Sequence, residues 1–289
     1  MSFPEIMQTV GGWSGAVEAL AALGAELTLK QSDQAAPPEI ISALRKVSEA
    51  AGMGDLDELA PQQRGILLAQ VQTALHQFIE LVELPGREAG WTFTDPVILD
   101  GWGRGSTLVP PMLAAAHEDL KDVTSFLDVG TGVGFLAVAA AGLWPKATIV
   151  GIDIWEPSLV RARAHVAEAG LQDRITLREQ NVMDLGDVDA YDVVWVPTFF
   201  LTEAVLRKAL PALLRSLRPG GWATLGRFIT PADPLAAATA ALRTIRGGGF
   251  DLEPKRGFEL MEEAGFTSIE HVPPQGPTPM DLILGQKPA

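Results

Sequence analysis

Three alternating glycines follow a short apolar run in this chain of 289 residues, in the segment Phe126-Leu127-Asp128-Val129-Gly130-Thr131-Gly132-Val133-Gly134-Phe135. Glycine lets a backbone approach a ligand closely, and the N-terminus of a following helix favours negative charge. Asp128 adds a carboxylate just before the glycines, which suits a cationic ligand better than a pyrophosphate. The dinucleotide-binding pattern G-x-G-x-x-G also fails, because Phe135 stands where that pattern has its last glycine.

Polar residues follow the next two predicted strands. Asp153 ends one of them, roughly 20 residues after the glycines, where a carboxylate accepts hydrogen bonds from both hydroxyls of a ribose. Ile154 after it is placed to lie on an adenine face. Asn181 follows the third strand, and its side-chain oxygen either accepts from the adenine amino group or belongs to a simple turn.

The elements that must position these residues alternate between strand and helix from about residue 124. Strands are predicted at 124–129, 147–152, 174–178, 191–196, 221–227, 266–271 and 280–286. Helices between the first five are predicted at about 134–143, 157–170 and 201–217. This alternation predicts an α/β fold with a largely parallel sheet. The link 273–279 is too short for a helical crossover, so the last two strands are expected to pair antiparallel.

Together these residues resemble the class I S-adenosylmethionine-dependent methyltransferases over about residues 100–289. The spacing of Asp153 from the glycines and the turn Arg218-Pro219-Gly220-Gly221 before the fifth strand are part of the resemblance. It implies a Rossmann-like sheet of seven strands, mostly parallel with an antiparallel last strand. It also implies S-adenosylmethionine as cofactor, across the carboxyl ends of the first strands, and S-adenosylhomocysteine as product.

The same resemblance implies where each part of the cofactor binds. The methionine part would lie against Asp128, Gly130, Thr131, Gly132 and Gly134. The ribose would bind Asp153, and the remaining cofactor-binding positions would be Ile154, Asn181, Val182 and Val196. Upstream, Arg104 stands between two glycines and either pairs with the cofactor carboxylate or is a surface cation.

The acceptor side departs from one branch of the family. Members that methylate adenine, cytosine or glutamine carry Asn/Asp-Pro-Pro-aromatic after the fourth strand, and this chain has Val196-Pro197-Thr198-Phe199-Phe200. That departure disfavours nucleic-acid and glutamine methylation. Thr198, Phe199 and Phe200 instead predict a mostly apolar floor for a small hydrophobic acceptor, although both phenylalanines fit core packing equally well. Trp91 and Trp102 are further candidates for contacting the acceptor, or for filling an interface between domains.

The first part of the chain is predicted to be all-helical, with helices at 14–27, 38–51 and 62–83. The third carries an apolar stripe at helical spacing, formed by Leu67, Val71, Leu75, Phe78 and Val82. We expect residues 1–98 to form a helical cap or substrate domain. Residues 99–289 would form the cofactor-binding domain, with a helical insert at about 232–249. Dimerisation through the apolar surface of the cap is a secondary expectation.

Composition excludes several classes of function. The chain has 22 Lys and Arg against 36 Asp and Glu, a net charge of −14, which argues against nucleic-acid and anionic-membrane partners. It has no cysteine, so disulfides, cysteine-ligated metals and thiol nucleophiles are excluded. No His, Asp and Glu grouping has metal-ligand spacing, so no metal is expected. The first basic residue is Lys30 and no apolar run reaches the roughly 18 residues of a membrane span, so a cytoplasmic protein is expected.

The expected activity is transfer of a methyl group from S-adenosylmethionine to a small, largely hydrophobic molecule. O-methylation in specialised metabolism is the leading prediction. The alternatives are C- or N-methylation, carboxylate methylation of a modified peptide, a non-catalytic methyltransferase-like partner protein and an NAD-dependent oxidoreductase. No catalytic residue is predicted, because none of the four histidines stands out as a general base. The protein is expected to be a monomer or a homodimer.

Overall fold

The computed structural model describes residues 1–32, 34–274 and 280–289 and divides the chain into two units. The first unit contains Met1–Pro85 and Asp95–Gly105, and the second contains Gly86–Thr94 and Ser106–Ala289. The predicted assignment of residues 1–98 and 99–289 as functional domains stays a prediction.

The first unit is helical. Its helices are α1 (Phe3–Gln31), α2 (Pro38–Ala50), α3 (Pro61–Glu83) and α4 (Pro96–Ser106), the last residue of α4 belonging to the second unit. Three of them start with proline, whose fixed φ and missing N–H suit the first helical position. Helix α1 packs so tightly on α3 that a Cβ added at Gly24 would lie 2.9 Å from Val71 Cγ1.

Two helices of this unit differ from the sequence prediction. Helix α1 begins well before residue 14, at Phe3, where the Glu5 side chain accepts a hydrogen bond from the Ser2 N–H. Helix α4 was not predicted, because its glycines disfavour a helix. Packing overrides that preference, since a methyl group added at Gly101 would overlap the Thr73 hydroxyl.

The second unit is built on a seven-stranded sheet with the order β3-β2-β1-β4-β5-β7-β6. Its strands are β1 (Ser125–Val129), β2 (Thr148–Asp153), β3 (Ile175–Glu179), β4 (Tyr191–Pro197), β5 (Leu217–Phe228), β6 (Thr267–Val272) and β7 (Met280–Gln286). Strands β1 to β6 are mutually parallel, and β7 runs antiparallel to both of its neighbours, β5 and β6. The predicted sheet is therefore confirmed. Of the predicted link 273–279, residues 275–279 lie outside the described residues.

Helices cover the two faces of this sheet. They are α5 (Val109–Ala116), α6 (Phe135–Leu143), α7 (Glu156–Glu168), α8 (Glu203–Ser216), α9 (Pro234–Arg246) and α10 (Pro254–Ala264). Alternate strand residues enter two hydrophobic cores: Phe126 and Trp195 lie in one, Leu127 and Val194 in the other. Strands that are buried on both faces read as continuous apolar runs, which explains why the sequence located them well.

The strand order fixes where a ligand binds. From β1 the chain adds β2 and then β3 on one side, and it returns to place β4 on the other side. Such a switch point leaves a crevice beyond the carboxyl ends of β1 and β4, and ligands of open α/β sheets bind there. No helix in the described part of the chain combines the length and hydropathy that crossing a membrane requires.

Candidate functional site

The glycine loop after β1 has a backbone that only glycine adopts readily. Gly130, Gly132 and Gly134 have φ values of +67°, +56° and +80°, in the left-handed region. The Thr131 N–H donates to the Ile152 carbonyl at 3.0 Å, which ties the loop to β2. A Cβ added at Gly132 would have its nearest neighbour, the Gly130 carbonyl oxygen, at 3.9 Å. The loop therefore presents open space at Gly132, where a ligand has room to lie.

Asp128, at the end of β1, is 1% exposed. Its Oδ2 accepts a hydrogen bond from the Thr131 hydroxyl at 2.7 Å, and its Oδ1 has no hydrogen-bond partner among the described residues. Burial raises the pKa of this carboxyl to about 7, and the nearby Asp153 charge adds to the rise. A buried carboxylate oxygen without a donor, next to a glycine loop, fits the ammonium group of an amino acid moiety.

Asp153, at the end of β2, holds the glycine loop from the other side. Its Oδ2 accepts from the Gly132 N–H at 2.8 Å, and its Oδ1 accepts from the Trp155 N–H at 2.9 Å. Burial raises the pKa of this carboxyl, and the main-chain donors partly oppose the rise. Each carboxylate oxygen has a second lone pair, so both stay able to accept from ribose hydroxyls.

The predicted adenine positions differ in exposure. Ile154 is 66% exposed beyond β2, whereas Val182 is buried. The Asn181 side-chain oxygen accepts from the Met183 N–H at 2.9 Å, as its interpretation as a turn residue expects. The Val196 side chain is fully buried in a hydrophobic core, so a cofactor contact there would involve its main chain. The roles of Ile154, Asn181 and Val182 toward adenine, and of Val196 toward the cofactor, stay predictions.

An aromatic wall stands at the carboxyl ends of β4 and β5. It consists of Trp91, Phe93, Phe199, Phe200 and Phe228. The ring centroids lie 4.7 Å apart for Phe199–Phe200, 4.3 Å for Phe199–Phe228, 5.0 Å for Trp91–Phe200 and 5.1 Å for Trp91–Phe93. The structure thus brings together three predicted acceptor residues, Trp91, Phe199 and Phe200.

Two residues of this region differ from the sequence prediction: Thr198 has another role, and Phe228 was not predicted. The Thr198 hydroxyl is buried and donates to the Gly226 carbonyl at 2.8 Å, so it holds the turn after β4. Phe228 was not predicted as part of the wall. The feature that could have identified Phe228 was its position at the end of β5, which lies next to β4 in the sheet.

The glycine loop and the aromatic wall are neighbours. Strands β1 and β4 are adjacent, with Asp128 paired to Trp195. A Cβ added at Gly130 would lie 3.4 Å from Pro197 Cγ, and Thr198 follows this proline directly. A ligand in the loop would therefore lie next to a molecule held against the wall.

Residues 86–94, here called the strap, form an irregular segment, and Trp91 is its member that the sequence predicted as a contact to the acceptor. The Arg87 guanidinium donates to the Gly90 carbonyl at 2.8 Å and to the Arg246 carbonyl, at the end of α9, at 3.2 Å. The Gly90 N–H donates to the same Arg246 oxygen at 3.0 Å. Since Trp91 and Phe93 belong to the strap, it supplies part of the aromatic wall.

The remaining predicted candidates are on other elements. Arg104 and Trp102 are on α4 in the first unit, and their roles toward cofactor and acceptor stay predictions. His165 Nδ1 donates to the Val133 carbonyl at 2.9 Å behind the glycine loop. His117 packs on Trp222, and His271 pairs with Asp281. Among the described residues no group of three or more His, Asp or Glu is arranged to hold a metal ion.

Residues 126–221 match a protein-family model described as a methyltransferase domain. The match begins in β1, includes the glycine loop and both carboxylates, and ends in β5. Residues 126–221 of this chain form a methyltransferase domain. The recognition of this domain from the glycines and Asp153 is therefore confirmed.

Similar proteins agree on this domain and on the fold. The ribosomal protein uL3 glutamine methyltransferase of Bordetella pertussis is 42% identical over 99 residues, which are 34% of this chain and 33% of that protein. The chain therefore spans about a third of that relative's length. Human N-acetylserotonin methyltransferase, solved in complex with S-adenosylmethionine, has a TM-score of 0.69 at 13% identity and full coverage of both chains. The mitomycin 7-O-methyltransferase MmcR has a TM-score of 0.65 at 17% identity, covering 98% of each chain.

Proposed function

We propose that this methyltransferase transfers a methyl group from S-adenosylmethionine to an oxygen atom of a small, largely hydrophobic acceptor. The observation that carries the proposal is the closeness of the glycine loop to the end of β4: a Cβ added at Gly130 would lie 3.4 Å from Pro197 Cγ, and Phe199 of the aromatic wall follows two residues later. This arrangement supports a site for a cationic, ribose-bearing ligand directly beside an apolar surface.

The residues of the loop fit S-adenosylmethionine. Asp128 Oδ1 is available for the ammonium group, and Asp153 is available for the ribose hydroxyls. The exposed Ile154 offers an apolar face for adenine. When bound, the cofactor supplies a methyl group on a sulfonium, a good leaving group that needs no acid catalyst. The chain then has to hold the acceptor in line with the methyl group and to exclude water.

The surroundings of the wall favour oxygen over nitrogen. Amino-directed family members grip the acceptor nitrogen with an Asn/Asp after the fourth strand, where this chain has the buried Val196. Although two relatives are glutamine methyltransferases, the matches to them cover 34% and 33% of this chain. C-methylation, N-methylation and carboxylate methylation of a modified peptide are the outcomes that the acceptor assay below distinguishes.

The contacts of the three histidines in the second unit disfavour a histidine general base at the wall, and this favours an acidic acceptor. His117, His165 and His271 contact Trp222, Val133 and Asp281 respectively, and none of these partners belongs to the aromatic wall. A carboxylate or an acidic phenol attacks as an anion and needs no strong general base. We therefore propose such an oxygen as the nucleophile. A cytoplasmic location stays a prediction from the sequence.

Calorimetric titration with S-adenosylhomocysteine tests the cofactor site, and Asp153→Ala is the informative variant. Two charge-assisted hydrogen bonds of about 1.5–3 kcal/mol each would be lost, so affinity should fall at least tenfold. Asp192→Ala is the matched control, because Asp192 also accepts two main-chain N–H bonds, from Thr124 and Ser125, at the amino end of β4. Unchanged affinity in Asp153→Ala, or preferential binding of NAD by the wild type, would overturn the assignment.

Methyl transfer itself is tested with radiolabelled S-adenosylmethionine and three matched sets of aromatic acceptors: phenols, carboxylic acids and amines. We expect labelled product from the phenols or acids. Product from the amines alone would replace O-methylation by N-methylation. Tight cofactor binding with no transfer to any acceptor set would favour the non-catalytic alternative.

A further inference from the structure

Trp155 makes hydrogen bonds in two directions. Its main-chain N–H donates to Asp153 Oδ1 at 2.9 Å, and its indole N–H donates to the Phe93 carbonyl of the strap at 2.7 Å. The residue is the N-cap of α7, so its backbone is fixed by a regular helix on one side and by β2 on the other. It is therefore a rigid link between the carboxylate assigned to the ribose and the strap.

The opposite side of the strap is fastened to the end of α9. Arg87 and Gly90 both donate to the Arg246 carbonyl. A Cβ added at Gly248 would lie 3.0 Å from Gly90 Cα, so the strap and the turn after α9 are in close contact. Between these fastenings, Trp91 and Phe93 of the strap join the aromatic wall.

The strap contains no helix and no strand. Its position is thus set by hydrogen bonds at its two sides and by packing of its aromatic rings, and such segments open locally at a small cost in free energy. A ligand that stabilises one fastening will reduce this opening.

We infer that Trp155 is a positioning residue that transmits cofactor binding to the acceptor wall through the strap. Ribose bound to Asp153 fixes the carboxylate, the carboxylate fixes the Trp155 main chain, and the indole N–H holds Phe93 beside Trp91. Cofactor binding then stabilises an acceptor surface whose contacts are already formed, and it reduces the local opening of the strap. The inference depends on the proposed function in one respect, the assignment of Asp153 to the ribose.

Hydrogen exchange of the full chain, with and without S-adenosylhomocysteine, tests this coupling. In the wild type we expect the ligand to slow amide exchange at least tenfold both in the glycine loop and in the strap. Trp155→Phe keeps an aromatic ring and the main-chain N–H but removes the indole donor. This variant should bind the ligand within threefold of the wild type and protect the glycine loop, yet leave the strap unprotected.

Trp222→Phe is the matched control. Trp222 lies in the middle of β5, six residues before the end of that strand at Phe228. Its indole N–H donates to Asp119 Oδ2 at 3.1 Å. Protection of the strap should be retained in this variant. Should Trp155→Phe fail to fold, the indole N–H resonance of Trp155 in the wild type supplies the second measurement, and its exchange with deuterated water should slow when the ligand binds.

The outcomes separate the inference from the function on which it depends. Equal protection of the strap in Trp155→Phe and wild type overturns the coupling. So does a wild-type strap that stays unprotected while the glycine loop is protected. Absence of ligand binding by the wild type overturns the cofactor assignment, and the coupling with it.

Discussion

The two carboxylates beside the glycine loop differ in their hydrogen-bond partners within the protein. Both oxygens of Asp153 accept main-chain N–H bonds, so this residue shapes the loop before any ligand arrives. Asp128 has one oxygen on the Thr131 hydroxyl and the other without a partner among the described residues. Asp128 is therefore the residue whose protonation a cationic ligand will change.

We expect binding of S-adenosylhomocysteine to release roughly half a proton at pH 7. The pKa of Asp128 is about 7 in the free protein, and an ammonium group on Oδ1 stabilises the ionised form and lowers that pKa. Affinity should accordingly fall as the pH drops below 7. Calorimetry in two buffers with different ionisation enthalpies measures the released protons. Asp128→Asn should abolish the release, and equal binding enthalpies in both buffers for the wild type would contradict the prediction.

The same raised pKa affects the cofactor-free fold. Burial raises the Asp128 pKa from 3.8 to about 7, so the unfolded chain ionises first. The contribution of this residue to the free energy of unfolding is present at low pH and is lost as the pH rises through that range.

Residues of the glycine loop were predictable because their signal is local. A left-handed backbone requires glycine, and strand-end acids stand at fixed distances from it along the sequence. The hydrogen bond from Trp155 to Phe93 was not predictable. It joins residues 62 apart through a main-chain carbonyl, which any residue type possesses.

At the scale of elements, the strands that are buried on both faces follow their predictions closely, since their apolar runs are continuous. Strand β5 begins earlier than predicted, at Leu217, because the Arg218–Gly221 turn is part of its pairing with β4 and a register shift accommodates it. Helix α4 was missed because close packing, which a sequence does not display, outweighs the helix propensity of its glycines.

In the turn after α9, close packing also determines which residues the backbone accepts. A methyl group added at Gly249 would overlap the Phe199 carbonyl oxygen, which belongs to the backbone and cannot rotate away. We expect Gly249→Ala to cost about 1–3 kcal/mol and to lower Tm by about 2–12 °C. In Gly247→Ala, the matched control in the same turn, the added atom would lie no closer than 3.4 Å to its neighbours. Differential scanning calorimetry measures both, and equal Tm values for the two variants would contradict the prediction.

At the scale of the whole molecule, the first half of α1 presents an unusual surface. Phe3, Ile6, Val10, Trp13 and Val17 are spaced three or four residues apart and so share one face of the helix. Each exposes between 44% and 74% of its surface. A contiguous apolar face of this kind typically marks an interaction site.

We expect this face to bury itself against a second copy of the chain, giving a homodimer rather than a monomer. Light scattering coupled to size-exclusion chromatography should then report about twice the chain mass of 30.8 kDa. Trp13→Lys places a charge in the centre of the face and should give the monomer. Gln8→Lys adds the same charge on the opposite face and should leave the dimer intact. A monomeric wild type at micromolar concentration would contradict the prediction.

The strap belongs to the second unit, although the residues before and after it along the chain belong to the first. During translation it emerges before β1, whose first residue is Ser125, and its partner Arg246 follows 159 residues after Arg87. N-terminal segments fold first as a nascent chain leaves the ribosome, and distant contacts have to wait for loop closure. The strap is consequently docked on both sides only after α9 has been synthesised. A chain released before that point would already contain Trp155 and Phe200, which contact Phe93 and Trp91, but it would lack Arg246, so the strap would be fastened on one side only.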